Sequence, residues 1–269
     1  ELRHSDFAQK HQFIHKVFPW LEEIIVSSGD YTDYLSIGSK AITGQEAKAR
    51  DINASRRVLP SFTEAERNNL TTAEKSFLNK AQAALSEKAE GYNLQFTDKM
   101  IVAIYHFMKY RFGESLDEGR LIETLQFASS IANPKASLLA NVPASKMQEA
   151  NAGLGKTLGY AFSYLLKMSS FDSIDNHSIM FTTLTEKLVD EGLSETVKFF
   201  NYDDILKLLG RDSTNPVKIG YVDSNNNGYL YTFEKGKDSK SDKAVKGQLQ
   251  DKAEIYRQAS IIGGKIEAF

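Results

Sequence analysis

The chain has 269 residues, of which 41% are hydrophobic and 25% are charged. These proportions are typical of a globular protein with a core of its own, and they exclude collagen-like, low-complexity and disordered chains. The formal net charge of −2 provides no overall basic field, so we expect no nucleic-acid partner.

The first part of the chain combines one helical pattern with one long irregular segment. Apolar residues at helical spacing predict a helix over residues 5–25, which Pro19 kinks. Residues 29–60 show no periodicity and contain many small polar side chains. We therefore predict a long irregular loop at about 29–60.

Helix signals dominate from residue 63 to residue 210. Thr71 followed by Glu74 has the pattern of a capping box and predicts a helix that ends near residue 88. The further helices predicted in this part cover residues 97–112, 116–132, 143–168 and, as two helices, 176–209. The first of these is apolar on more than one side, which is typical of a central helix.

Strand signals appear only after residue 210. Residues 217–222 and 229–233 are rich in β-branched and aromatic side chains, and Asn227-Gly228 between them is typical of a hairpin turn. A charged segment follows the hairpin, and we predict a final helix that ends near residue 262.

Together these elements predict a mainly α fold, which is a multi-helix bundle with a small β-hairpin near the C-terminus. We expect two segments. Residues 1–210 form a helical domain that includes the irregular loop, and residues 211–269 form the hairpin and the C-terminal helix, packed on the same core.

One short segment has the pattern of a calcium-binding loop. Residues 223–234 fit D-x-[DN]-x-[DN]-G-x5-E at every specified position, so they resemble an EF-hand-type loop. In such a loop, oxygen atoms surround a calcium ion, which is the candidate cofactor. The candidate ligands are the side chains of Asp223, Asn225, Asn227 and Glu234 and the carbonyl oxygen of Tyr229.

The flanks of this segment favour a plain hairpin instead. An EF-hand needs a helix on each side, but residues 216–222 look extended and Gly236 weakens any helix after Glu234. Both alternatives stay open at this stage. In the calcium-binding alternative, Gly228 permits the sharp turn, and two carboxylates alone imply a weak Kd of about 10⁻⁴–10⁻³ M.

No other motif identifies a catalytic or cofactor-binding site. Gly155-Lys156-Thr157 resembles the end of a phosphate-binding loop, but the strand that such a loop requires is not predicted before it. His106 and His177 are isolated in the sequence. Adjacent acids such as Asp203 and Asp204 are expected on solvated helix faces or at helix caps.

The chain contains no cysteine. This excludes disulfides, thiolate zinc sites, iron–sulfur clusters and cysteine nucleophiles. It also favours export to the periplasm, the cell surface or the extracellular space. No run of about 18 apolar residues occurs, so we expect no transmembrane segment.

These observations lead to two functional hypotheses. The first is a non-catalytic, exported binding or structural protein, in which a helical scaffold presents surface loops to a protein partner. The alternative is a hydrolase whose active site is assembled from acids and histidines that are distant in sequence, which a helical fold can accommodate.

Overall fold

The computed structural model describes residues 59–87, 94–133, 156–169, 174, 178–183 and 185–265. The chain divides into two units, Glu1–Ala54 and Ser55–Phe269, and all described residues belong to the second. The helix predicted over residues 5–25 and nearly all of the predicted loop at 29–60 lie outside the described residues.

The described residues form α-helices and β-strands in alternating groups. The helices are α1 (Glu64–Asn68), α2 (Thr72–Ser86), α3 (Asp98–Phe112), α4 (Glu118–Ala132), α5 (Lys156–Met168), α6 (Glu186–Phe200), α7 (Asp203–Leu208) and α8 (Lys252–Gln258). The strands are β1 (Ile179–Thr183), β2 (Ile219–Val222), β3 (Asn227–Glu234), β4 (Lys243–Asp251) and β5 (Ile261–Lys265).

Local capping and burial explain α2 and α3. The Thr71 backbone N–H donates to Glu74 Oε2 at 2.6 Å, and the Glu74 N–H donates to Thr71 Oγ1 at 3.3 Å, which confirms the capping box. Helix α3 ends at Gly113, whose φ of +54° is readily adopted by glycine. Eight of the 15 residues of α3 are buried, so the prediction of a central helix is confirmed.

The strands form one mixed sheet in the order β1-β5-β2-β3-β4. Strand β5 runs parallel to both β1 and β2, whereas the β2–β3 and β3–β4 pairs are antiparallel. The β2–β3 pair confirms the predicted hairpin. The prediction of a mainly α bundle is wrong, because a five-stranded sheet makes this an α/β fold.

Three strands were not predicted: β1 lies within residues 176–209, where only helices were expected, and β4 and β5 lack the usual alternation of polar and apolar residues. Strand β5 lies between two parallel strands and is buried on both faces, so its sequence is a short apolar and glycine-containing run. Strand β4 is an edge strand with many polar side chains. The single helix predicted up to residue 262 is therefore replaced by the shorter α8, with β4 before it and β5 after it.

Helices cover both faces of the sheet. Leu193 of α6 packs on Gly263 of β5, where a Cβ atom would lie 2.7 Å from Leu193 Cδ1. Ile255 of α8 packs against Val222 and Ile262, whose side chains point to the opposite face because side chains alternate along a strand. One face of the sheet therefore lies against α6 and the other against α8.

The two predicted segments contribute to one core. Val217 and Ile219, from the second segment, lie in the same cluster of buried side chains as Phe107 and Leu165 from the first. Within the part of the chain that the structure describes, no helix has the length and apolar character needed to cross a bilayer.

Candidate functional site

The predicted calcium ligands lie along the β2–β3 hairpin. Asp223 follows β2, Asn225 lies in the turn, Asn227 begins β3, and Tyr229 lies two residues further along β3. Because β3 is extended from Asn227 to Glu234, these two residues are separated by about 23 Å. The structure therefore brings the side chains of Asp223 and Asn227 into contact, places Asn225 in the same turn through its backbone, and separates Glu234 from them.

Asp223 organises the turn through its own carboxylate. Oδ1 accepts the backbone N–H groups of Asn225 and Asn227, both at 2.9 Å, and Oδ2 accepts Asn227 Nδ2 at 3.0 Å. Burial would raise the pKa of Asp223, but these hydrogen bonds outweigh it and lower the pKa below the ordinary 3.8. The residue with a left-handed backbone conformation is Asn226, with φ of +63°, and not Gly228.

The described residues contain no group of three or more acidic or histidine side chains that could hold a metal ion. At the far end of β3, Glu234 lies opposite Lys243 of β4. Calcium binding by residues 223–234 stays a prediction, and in this geometry it would have to proceed without the closing carboxylate.

Three tyrosines lie on the α6 side of the sheet, where Tyr221 is buried and Tyr229 and Tyr231 are partly buried. Tyr221 of β2 lies opposite Tyr229 of β3, and their ring centroids are 5.9 Å apart. Lys246 of β4 places its ammonium group 3.9 Å from the Tyr221 centroid and 5.0 Å from the Tyr229 centroid. An ammonium group over two ring faces is stabilised by cation–π attraction, which fixes the rings and the lysine together.

Acidic side chains of α6 contact the tyrosines and Lys246. The Tyr231 hydroxyl donates to Asp190 Oδ1, and Lys246 Nζ lies 3.8 Å from the same oxygen. Burial, with Glu186 among the neighbouring carboxylates, raises the pKa of Tyr221 to about 12. Burial and the bond to Asp190 also raise the pKa of Tyr231. Both hydroxyls therefore remain protonated donors near neutral pH.

A β-bulge in β4 places Leu249 beside the tyrosines. Tyr231 pairs with Lys246 and Tyr229 pairs with Leu249, so β4 has one extra residue between these two pairs. The extra residue brings Lys246 and Leu249 to the same face, although an odd spacing would normally place them on opposite faces. Leu249 is 61% exposed. We call Tyr221, Tyr229, Tyr231, Lys246 and Leu249 the tyrosine face.

His106 of α3 meets two acids that are distant in sequence. Its Nδ1 lies 2.8 Å from Asp204 Oδ2, and its Nε2 lies 2.5 Å from Glu74 Oε1. The hydrogen bond with Asp204, and then that with Glu74, raise the pKa of His106 above its ordinary 6.5, against the effect of burial. Since both ring nitrogens face carboxylates, neither nitrogen is available to accept a proton from a substrate.

Two cavities adjoin the helices. One of about 530 Å³ lies between α2, α3 and α4, and its lining includes Gln82, Phe96 and Asp98. The other, of about 240 Å³, lies between α3, the α6–α7 connection and β3. Its lining includes Tyr202 and Lys235. The residues that line these two cavities do not include His106 or the tyrosine face.

Sequence reasoning did not identify the tyrosine face. The alternation of Tyr229 and Tyr231 along a predicted strand was a visible signal that both rings share one face. Lys246 and Asp190 carried no comparable signal, because their positions depend on the pairing of β4 with β3 and on the packing of α6 over the sheet.

Comparison of the chain with protein-family models, with curated proteins and with solved structures finds no match.

Proposed function

We propose that this protein is a non-catalytic, exported binding protein that contacts a protein partner through its tyrosine face. The observation that carries the proposal is the 61% exposure of Leu249, directly opposite Tyr229 on the same side of the sheet. The partly buried rings of Tyr229 and Tyr231 lie beside this leucine, and tyrosine is enriched among the residues that contribute most to protein interfaces.

The contacts behind the tyrosine face support this role. Asp190 accepts the Tyr231 hydroxyl, and Lys246 is held over the rings of Tyr221 and Tyr229. These side chains are already ordered before a partner arrives, so binding would cost little side-chain entropy. A preorganised support of this kind behind the exposed Leu249 favours binding more than it favours catalysis.

The hydrolase alternative lacks a comparable observation. The cluster of His106, Glu74 and Asp204 is the arrangement that comes closest, and both histidine nitrogens are already hydrogen-bonded to carboxylates. A general base needs a nitrogen that can accept a proton. Export and calcium binding stay predictions from the sequence, since they depend on the absence of cysteine and on the 223–234 pattern.

The test uses two exposed residues in the two edge strands of the same sheet. A photo-crosslinking amino acid replaces Leu249 of β4 in one version and Met180 of β1 in the other, in cells that produce the protein. Met180 is 53% exposed and is the matched control. We expect one dominant protein adduct from position 249 and none of that adduct from position 180.

Binding of the purified partner then measures the contribution of the face. We expect Leu249→Asp to weaken binding about tenfold or more, and Met180→Asp to leave it unchanged. Equal adducts from both positions, or equal affinities for both variants, would overturn the proposal. So would the failure of position 249 to form any protein adduct.

A further inference from the structure

Three helices meet at one imidazole ring. His106 lies in the middle of α3, Glu74 lies in the first turn of α2, and Asp204 lies in the first turn of α7. The ring joins Glu74 at 2.5 Å to Asp204 at 2.8 Å, so α2 and α7 are connected through α3. We call Glu74, His106 and Asp204 the histidine latch.

The chemistry of the ring makes this connection depend on one proton. An ionised carboxylate only accepts hydrogen bonds, and a neutral imidazole has only one N–H group. Both contacts can therefore be hydrogen bonds only when His106 is the imidazolium ion. When the ring loses a proton, one nitrogen turns a lone pair toward a carboxylate, and that contact becomes repulsive.

Helix α7 depends on the latch more than α2 does. Glu74 remains bonded to Thr71 through its other oxygen, whatever the state of His106. Helix α7 has six residues, and Tyr202 before it provides no side-chain cap. Two carboxylates lie in its first turn. Asp204 contacts His106 and lies 3.9 Å from Lys207, and Asp203 forms an ion pair with Lys235 at 3.1 Å.

We propose that the histidine latch is a pH-sensitive device, in which the protonated ring holds the first turn of α7 against α2 and α3 and loss of the proton releases it. Among the described residues, the charged and titratable neighbours are Lys207 and Asp203 on α7, Tyr202 before α7 and Tyr105 on α3. None of them replaces the imidazolium ion as a donor between the two carboxylates. The released part is Asp203 and Asp204, because the buried side chains of Ile205, Leu206 and Leu208 keep the rest of α7 in place.

The direction of the response follows from the raised pKa of His106. A histidine whose pKa is higher in the folded state than its ordinary 6.5 contributes its full stabilisation below that ordinary value. The contribution is lost as the pH rises through the raised value. Since Tyr202 and Asp203 line the cavity of about 240 Å³, release of this turn would alter the wall of that cavity.

Hydrogen exchange over residues 201–208, corrected for the intrinsic dependence of exchange on pH, tests the proposal. Between about pH 6 and about pH 9 we expect protection of this segment to fall about three- to tenfold in the wild type. Asp204→Asn removes one partner of the ring and should abolish that change. Asp203→Asn, the adjacent residue, breaks only the Lys235 contact and should retain it.

Proton NMR of the His106 ring provides a second readout that does not depend on exchange. We expect its titration midpoint to lie above 6.5 in the wild type and to move toward 6.5 in Asp204→Asn. A wild type whose protection does not change with pH would overturn the proposal. An equal change in Asp204→Asn and Asp203→Asn would also overturn it, as would a midpoint at or below 6.5 in the wild type.

Discussion

Gly228 of β3 lies directly beneath Ile255 of α8, and a Cβ atom at Gly228 would be 2.3 Å from Ile255 Cγ1. This contact assigns the glycine a role in packing. The turn of the hairpin takes its left-handed residue from Asn226 instead. The helix α8 can approach the sheet this closely because β3 has no side chain at that point.

We therefore expect Gly228→Ala to destabilise the protein by about 1–3 kcal/mol, the usual cost of overpacking a core contact. Urea unfolding measures the effect. Ile255→Ala makes room for the added methyl group, so the double variant should be less destabilised than the sum of the two single variants. Asn226→Gly should leave stability nearly unchanged, and a larger loss there than at Gly228 would contradict the packing role.

Asn133 connects the end of α4 to the segment before α3. Its Nδ2 donates to the carbonyl oxygens of Leu94 at 2.8 Å and Ser129 at 2.9 Å, and its Oδ1 accepts the Leu94 N–H at 2.8 Å. Since Asn133 is buried, Asn133→Ala removes the described partners of the Leu94 N–H and carbonyl groups, whereas the Ser129 carbonyl still accepts the backbone N–H of residue 133.

The expected cost of Asn133→Ala is about 2–4 kcal/mol, measured by urea unfolding. Asn225→Ala is the matched control, because Asn225 is exposed in the hairpin turn and its described hydrogen bond uses the backbone N–H. Similar midpoints for the two variants would show that the bonds of Asn133 are not important for stability.

The helices could be predicted because their signals are local. The capping box of Thr71 and Glu74 depends on residues within one turn, and Asn133-Pro134 marks the end of α4 at Ala132. The hairpin could also be predicted from its strand composition, but the turn lies at residues 223–226 and not at the predicted Asn227-Gly228 pair, which belongs to β3. In each case, the relevant atoms lie within a few residues of one another.

Strand β5 and the tyrosine face depend on contacts between distant parts of the chain. Leu193 of α6 packs on Gly263 in the central strand β5. Without knowledge of that contact, a short run of Ile and Gly cannot be identified as a strand from the sequence. In the same way, Lys246 reaches Tyr221 because β4 pairs with β3 so that Lys246 lies opposite Tyr231, and the bulge that follows brings Leu249 to the same face. The 223–234 pattern has the spacing of a calcium loop, but extension of β3 separates its two ends.

The position of Glu234 leads to a test of calcium binding. Because Glu234 lies at the far end of β3, we expect Glu234→Gln to melt at the wild-type temperature both without calcium and with millimolar calcium. Asp223→Ala should lower Tm under both conditions, because the turn loses the three hydrogen bonds of Asp223. A calcium-dependent rise in Tm that Glu234→Gln abolishes would contradict this geometry and would favour a closed loop over residues 223–234.

The stability of the protein in acid should depend on Glu74. Burial would raise the pKa of Glu74, but its hydrogen bonds to Thr71 and His106 outweigh burial and lower the pKa below the ordinary 4.5. A carboxyl group whose pKa is lower in the folded state contributes its full stabilisation above its ordinary value, and loses it as the pH falls through the lowered value.

Glu74→Gln should therefore destabilise the protein by about 1–2 kcal/mol near neutral pH, where the carboxylate holds both Thr71 and His106. The difference from the wild type should shrink as the pH falls below 4.5, because the wild-type carboxyl group then becomes neutral as well. Urea unfolding at a series of pH values measures both effects.

Glu114→Gln, at an exposed residue of the turn after α3, is the control and should follow the wild-type profile. A constant difference between Glu74→Gln and the wild type at every pH would show that the loss arises from side-chain shape rather than from charge.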